Sequence, residues 1–240
     1  MSSLAWAGST TVVVGQGGAA AGDTCGTDDC TFIWYAENAT DVTSGTPAGC
    51  SSGDTSPTVT RATISGSQYH DGSNSLLVDN VQEYAEFDSA DIISPTAGTL
   101  EAWVRVSTWT NTVVIFSYNG NDAGRLFLNV AGSSNTDIEF HFRYYYPYSY
   151  IDLTTDGVNG SLDTWYRIVI KWTQSNVDPN IGLYVYNASG DLLDSETSNT
   201  NPNAWGTLTG TTFTVGCFAY FSGEAPAINI DGVKIWNAWK

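Results

Sequence analysis

Chemistry-bearing side chains are densest between Thr136 and Tyr150. In TDIEFH (136–141), Asp137, Glu139 and His141 fall on one parity of a strand-like segment. Paired carboxylates on one face are the equipment of glycoside hydrolysis, one as general acid and one as nucleophile. The same alternation also describes an ordinary exposed strand face, and it is so read here. Directly after it, RYYYPYSY (143–150) places Tyr144, Tyr145, Tyr146, Tyr148 and Tyr150 within seven residues. Their flat amphipathic rings suit sugar stacking or protein contact, or else fill a sandwich core and cover its edges. Trp103, Trp109, Trp165 and Trp205 could add to such a platform.

A second cluster is acidic. Asp23, Asp28 and Asp29 surround CGTDDC (25–30), an oxygen-rich loop of the kind that holds calcium, although the EF-hand spacing is absent and a solvated turn explains it too. The four cysteines, Cys25, Cys30, Cys50 and Cys217, are read as two disulfides of an oxidising compartment. Three pairings are open; a short 25–30 loop and a 50–217 staple are favoured, because Cys217 shares the apolar parity of Phe213 and Val215. With no C-x-x-C pair and only His70 and His141 as histidines, a zinc site is not expected.

Twenty-five acidic against eight basic residues give a formal charge of −17. That sign repels phosphate backbones and anionic lipid, so neither nucleic acid nor membrane insertion is expected. No segment has the length of a membrane span. Ala5-Trp6-Ala7 has the small-x-small form of a cleavage site without a complete signal peptide before it. Sequons at Asn38, Asn159 and Asn187 are candidate glycosylation sites and, with the cysteines, suit an extracellular or cell-surface location.

The elements that must position these groups are strands. TLEAWVRV (99–106) puts Leu100, Ala102, Val104 and Val106 on one parity and Glu101, Trp103 and Arg105 on the other, the pattern of a central strand with one buried face. TWYRIVIKW (164–172) repeats it, with Tyr166, Ile168, Ile170 and Trp172 opposite Trp165, Arg167 and Lys171. Further strands are expected at 31–36, 58–64, 75–78, 83–87, 113–118, 125–130, 138–146, 182–186, 192–197, 212–218 and 228–236, separated by turn signals. No helical period is evident. The expectation is an all-β, antiparallel two-sheet jelly-roll sandwich with an extended N-terminal arm: residues 1–24 as arm, 25–240 as one domain. Within the arm, Thr10, Thr11, Val12, Val13 and Val14 are β-prone and precede a Gly/Ala linker. They read as a strand added to a sheet, either this domain's own or a neighbouring copy's.

GSNSLLVDNVQEYAEFD (72–88), TLEAWVRV, SLDTWYRIVIKW (161–172), IGLYVYNASGDLL (181–193) and INIDGVKIWNAW (228–239) occur in an order that resembles the laminin G-like, concanavalin A-like jelly-roll superfamily. The resemblance is strongest over 60–240. It implies two antiparallel sheets, one concave, and rim loops that in some members bind calcium or sugars. Hydrolase members carry an E-x-D-x-x-E strand; here the third carboxylate is missing after Asp137 and Glu139. Lyase members use a basic, tyrosine-rich cleft, for which Arg143 to Tyr150 has no second basic motif.

No enzyme is therefore expected. The first expectation is a secreted structural subunit whose protomers exchange the 10–14 strand into a filament or array, with the chain itself as partner. The alternative is a lectin-like module for carbohydrate or a cell surface, using the 144–150 aromatics and, where rim acids gather, calcium.

Overall fold

The computed structural model describes residues 30–34, 36, 58–80, 83–88, 93–94, 96–108, 113–119, 125–134, 137–146, 149–174, 178–199, 212–216 and 227–240. Among them are fifteen strands: β1 (Cys30–Trp34), β2 (Thr58–Thr60), β3 (Thr63–Ser65), β4 (Ser75–Val78), β5 (Tyr84–Asp88), β6 (Ala97–Val106), β7 (Val113–Asn119), β8 (Arg125–Ser134), β9 (Asp137–Tyr146), β10 (Ser149–Gly160), β11 (Trp165–Thr173), β12 (Ile181–Tyr186), β13 (Leu192–Ser198), β14 (Thr212–Gly216) and β15 (Ile228–Trp236). No helix among the described residues is long and apolar enough to cross a membrane.

The strands form two antiparallel sheets. The first has the order β13-β12-β11-β6-β15-β4-β3, with β1 pairing the second half of β15; the other runs β10-β9-β8-β7-β14-β5-β2. The two Trp/Arg strands, β6 and β11, are adjacent at the centre of the first sheet, with Leu100 opposite Ile170 and Trp103 opposite Arg167. Their apolar parities point inward, and Leu100, Ala102, Val104, Ile168 and Trp172 are fully buried. Phe87 of the second sheet meets Phe32 and Trp34 of the first at 4.9 and 5.1 Å between centroids, and Phe140 meets Tyr166 at 5.6 Å. Edge-to-face and tilted aromatic pairs thus close the core between the sheets. This is an antiparallel two-sheet jelly-roll sandwich, the fold class expected from the sequence.

Two differences from the sequence expectation change the strand count. The single strand expected at 58–64 is two: β2 pairs β5 in one sheet, β3 pairs β4 in the other, and Arg61 between them has φ 58°. A left-handed residue turns the chain sharply enough to change sheets. Strand β10 was not expected at all. Its polar run TTDG and its Asn159-Gly160 look like turn signals. In the fold, Leu153 and Thr155 face inward opposite Phe142 and Phe140, and the Thr155 hydroxyl donates to the Phe140 carbonyl at 3.1 Å, which satisfies it in the core.

One irregularity positions functional groups. Strand β15 carries a bulge between Asp231 and Lys234, with Gly232 at φ 57°. The extra residue shifts the alternation by one. Ile228, Ile230, Val233 and Ile235 all join the core, while Asn229, Asp231 and Lys234 share the outer face.

Candidate functional site

Two outward faces gather polar and aromatic groups. On the second sheet, β9 and β10 place Glu139, His141 and Arg143 opposite or diagonal to Thr154 and Asp152. His141 Nε2 lies 3.2 Å from Glu139 Oε2, and Nδ1 lies 3.1 Å from Thr154 Oγ1. Arg143 donates through Nε to Asp152 Oδ2 at 3.0 Å, and a terminal guanidinium nitrogen reaches the same oxygen. The row stays partly open: exposure of these side chains runs from 18% for His141 to 36% for Arg143. Two register steps beyond the Arg143–Asp152 pair, Tyr145 pairs with Tyr150, while Tyr144 and Tyr146 pair with Ile151 and Ser149 on the other parity.

On the first sheet, Asp231 is fully buried beneath the 66–74 loop. Its Oδ2 accepts the backbone N–H of His70 at 2.9 Å and of Asp71 at 2.8 Å, and Oδ1 accepts that of Gly232 at 2.7 Å. Burial pushes its carboxyl up to about 7; the three N–H groups hold it down, and the nearby Asp71 charge raises it. Asp71 is shifted the other way, lowered chiefly by its hydrogen bond with His70 Nδ1 at 2.9 Å. The clasp lays the His70 ring flat on Trp103, 3.5 Å between centroids, with its edge toward Trp165.

Beyond this clasp the same face is basic and aromatic. Arg105 donates to Asp163 at 2.5 Å and to Ser107 at 2.6 Å. The Arg167 guanidinium sits 4.4 Å over the Tyr186 ring, and Lys171 Nζ lies 5.2 Å from the centre of Tyr184. Glu101 stands between Arg167 at 3.7 Å and Lys234 at 3.8 Å.

Several sequence-derived candidates lie outside the described residues: the 10–14 strand, Asp23, Asp28, Asp29, Cys25, Cys50, Cys217, Asn38 and Tyr148. Cys30 begins β1 opposite Trp236. Asn159 is exposed with φ 47°, and its amide donates to the Gly157 carbonyl at 3.0 Å. Asn187 organises the β12–β13 turn, its Oδ1 accepting the N–H groups of Ser189 and Asp191, both at 2.9 Å. Among the described residues no group of three or more His, Cys, Asp and Glu side chains gathers as a metal site. The Asp231 clasp escaped sequence reasoning, because it joins residues 160 positions apart through backbone donors that no motif displays. The Tyr184 and Tyr186 parity was legible beside that of Arg167 and Lys171 once β11 and β12 were paired.

No family model matches the sequence, and no curated protein matches it either. Solved structures do share the fold. The chain is similar to the botulinum neurotoxin serotype D binding domain (14% identity, TM-score 0.58, covering 88% of this chain and 49% of that one). It is similar to the serotype D ligand binding domain in complex with N-acetylneuraminic acid (14% identity, TM-score 0.54, 89% and 48%). It is also similar to domain 4 of an extracellular arabinanase from Geobacillus stearothermophilus, in complex with arabinotriose (12% identity, TM-score 0.58, 88% and 93%). The chain spans about half the length of the neurotoxin chains and nearly all of the arabinanase domain.

Proposed function

We propose that the chain is a non-catalytic, lectin-like carbohydrate-binding module acting at an extracellular or cell-surface location. The observation that carries this reading is the β9–β10 row. Glu139, His141, Arg143, Asp152 and Thr154 offer donors and acceptors already fixed by one another, beside the paired positions of Tyr145 and Tyr150. Sugar recognition needs such preset planar hydrogen-bonding groups flanked by aromatic faces. Each carboxylate of the row is engaged by a partner on its own or the adjoining strand, an arrangement that favours binding over acid–base turnover. The similar structures, a neurotoxin binding domain, a neurotoxin ligand binding domain in complex with N-acetylneuraminic acid and an arabinanase domain in complex with arabinotriose, lend support at the level of fold. Strand exchange through residues 10–14 gains no comparable support and takes second place.

The test is titration of the protein with arabinotriose, N-acetylneuraminic acid and a glycan array, with and without calcium, beside Arg143→Ala and Tyr145→Ala. Binding weakened at least tenfold by both substitutions is the expected result. No binding to any glycan in either condition would remove the proposal.

A further inference from the structure

Four of the eight basic residues of a chain with net charge −17 lie on one sheet face: Arg105, Arg167, Lys171 and Lys234. Arg105 is matched by Asp163, and Arg167 and Lys234 share Glu101. Lys171 makes no ion pair with a described residue. Burial, then the Arg167 charge, hold its ammonium below the usual lysine range, and Glu101 opposes this only in part. A partly buried cation beside a second cation, with Glu101 shared among its neighbours, favours an incoming anion.

The aromatic beside it is held flat. Lys171 pairs in register with Gly182, and the Tyr184 ring folds back over that glycine; a Cβ on Gly182 would stand 2.7 Å from its Cε2. Arg167 and Lys171 are four residues apart on β11, about 13 Å between Cα atoms at ~3.3 Å per residue. Both side chains nonetheless lean toward the middle row of Glu101, Val169 and Tyr184. That row therefore combines a part-exposed planar ring with an ammonium that makes no ion pair among the described residues and a guanidinium beyond.

We infer that the outer face of β11 and β12 is a second binding site, for a carboxylate-bearing sugar residue of an acidic glycan. Lys171 takes the carboxylate, Arg167 adds its field, and the pyranose stacks on Tyr184. The face belongs to the sheet opposite the β9–β10 row and does not depend on it. The overall negative charge does not exclude such a ligand, because fields screen within about 8 Å at physiological salt, and beside Tyr184 the charges of Arg167 and Lys171 outnumber that of Glu101.

Calorimetric titration with trigalacturonic acid and with its methyl ester tests this, since the ester keeps the ring and removes the charge. The acid is expected to bind at least tenfold tighter than the ester. Lys171→Met and Tyr184→Ala should each weaken the acid at least tenfold with melting temperature unchanged, whereas Arg143→Ala should leave it intact. Should Lys171→Met fold poorly, binding of the acid to the unaltered protein should fall at least threefold between 50 and 500 mM salt. Equal binding of acid and ester, no binding of the acid, or loss with Arg143→Ala alone would overturn the site. A polyglutamate peptide binding as tightly as trigalacturonate would assign the face to an acidic protein and overturn it equally.

Discussion

Gly98 of β6 and Trp172 of β11 are directly paired, and the indole occupies the space a side chain at Gly98 would need. An ideal Cβ there would stand 1.9 Å from Cζ2 of the ring. Trp172 cannot swing aside, because it is fully buried and its Nε1 donates to the Ser94 carbonyl at 2.9 Å. Gly98→Ala must therefore displace the indole or part the two central strands. Overpacking of this kind costs about 1–3 kcal/mol and sometimes more; with a clash this short, about 3 kcal/mol is expected. At ~2–4 °C per kcal/mol for a domain of this size, calorimetry should show Tm falling by roughly 6–12 °C. An unchanged Tm would refute the account of this contact.

The same pair shows what the sequence could and could not disclose. Alternation in 99–106 and 164–172 was enough to orient both strands, because each has one fully apolar parity. That they lie side by side, bringing Trp103 against Arg167, depends on sheet order, to which periodicity is blind. The bulge at Gly232 was equally hidden, since INIDGVKIW alternates acceptably until one residue too many must be placed. Strand β10 was missed because its polar residues face outward and its inward Thr155 finds its partner only across the ladder. Glu139 and His141 were legible as neighbours on one face; Thr154 and Asp152, which complete the row, were not.

Asp231 supplies a pH-dependent prediction. Its carboxyl is raised from 3.8 to about 7 in the fold. A group so shifted contributes stability that is fully present below about pH 4 and is lost as pH rises through 7, by at most about 4 kcal/mol at 1.36 kcal/mol per pH unit. Asp231→Asn removes that titration, and its amide nitrogen would oppose backbone donors. Urea denaturation at pH 4.5, 6 and 8 should find the variant less stable at pH 4.5 by about 1–3 kcal/mol. The gap between the two proteins should narrow by at least about 1 kcal/mol toward pH 8. A gap constant with pH would show that Asp231 does not titrate in this window.

Gly182 separates the proposed β11–β12 site from the stability of the fold. A Cβ at this position meets Tyr184 Cε2 at 2.7 Å, its hydroxyl at 2.9 Å and Cζ at 3.0 Å, all at the far end of a side chain on a partly exposed face. Unlike Trp172, this ring can rotate away into solvent. Alanine also suits strand backbone better than glycine, by about 0.5–1 kcal/mol. Gly182→Ala is therefore expected to leave Tm level or slightly raised. Binding of trigalacturonate should nonetheless fall at least fivefold, because the ring no longer lies flat beside Lys171. Chemical denaturation and calorimetry on the same preparation measure both quantities. Retention of full affinity in a stable Gly182→Ala protein would mean that the flat ring is a consequence of a missing side chain and has no part in recognition.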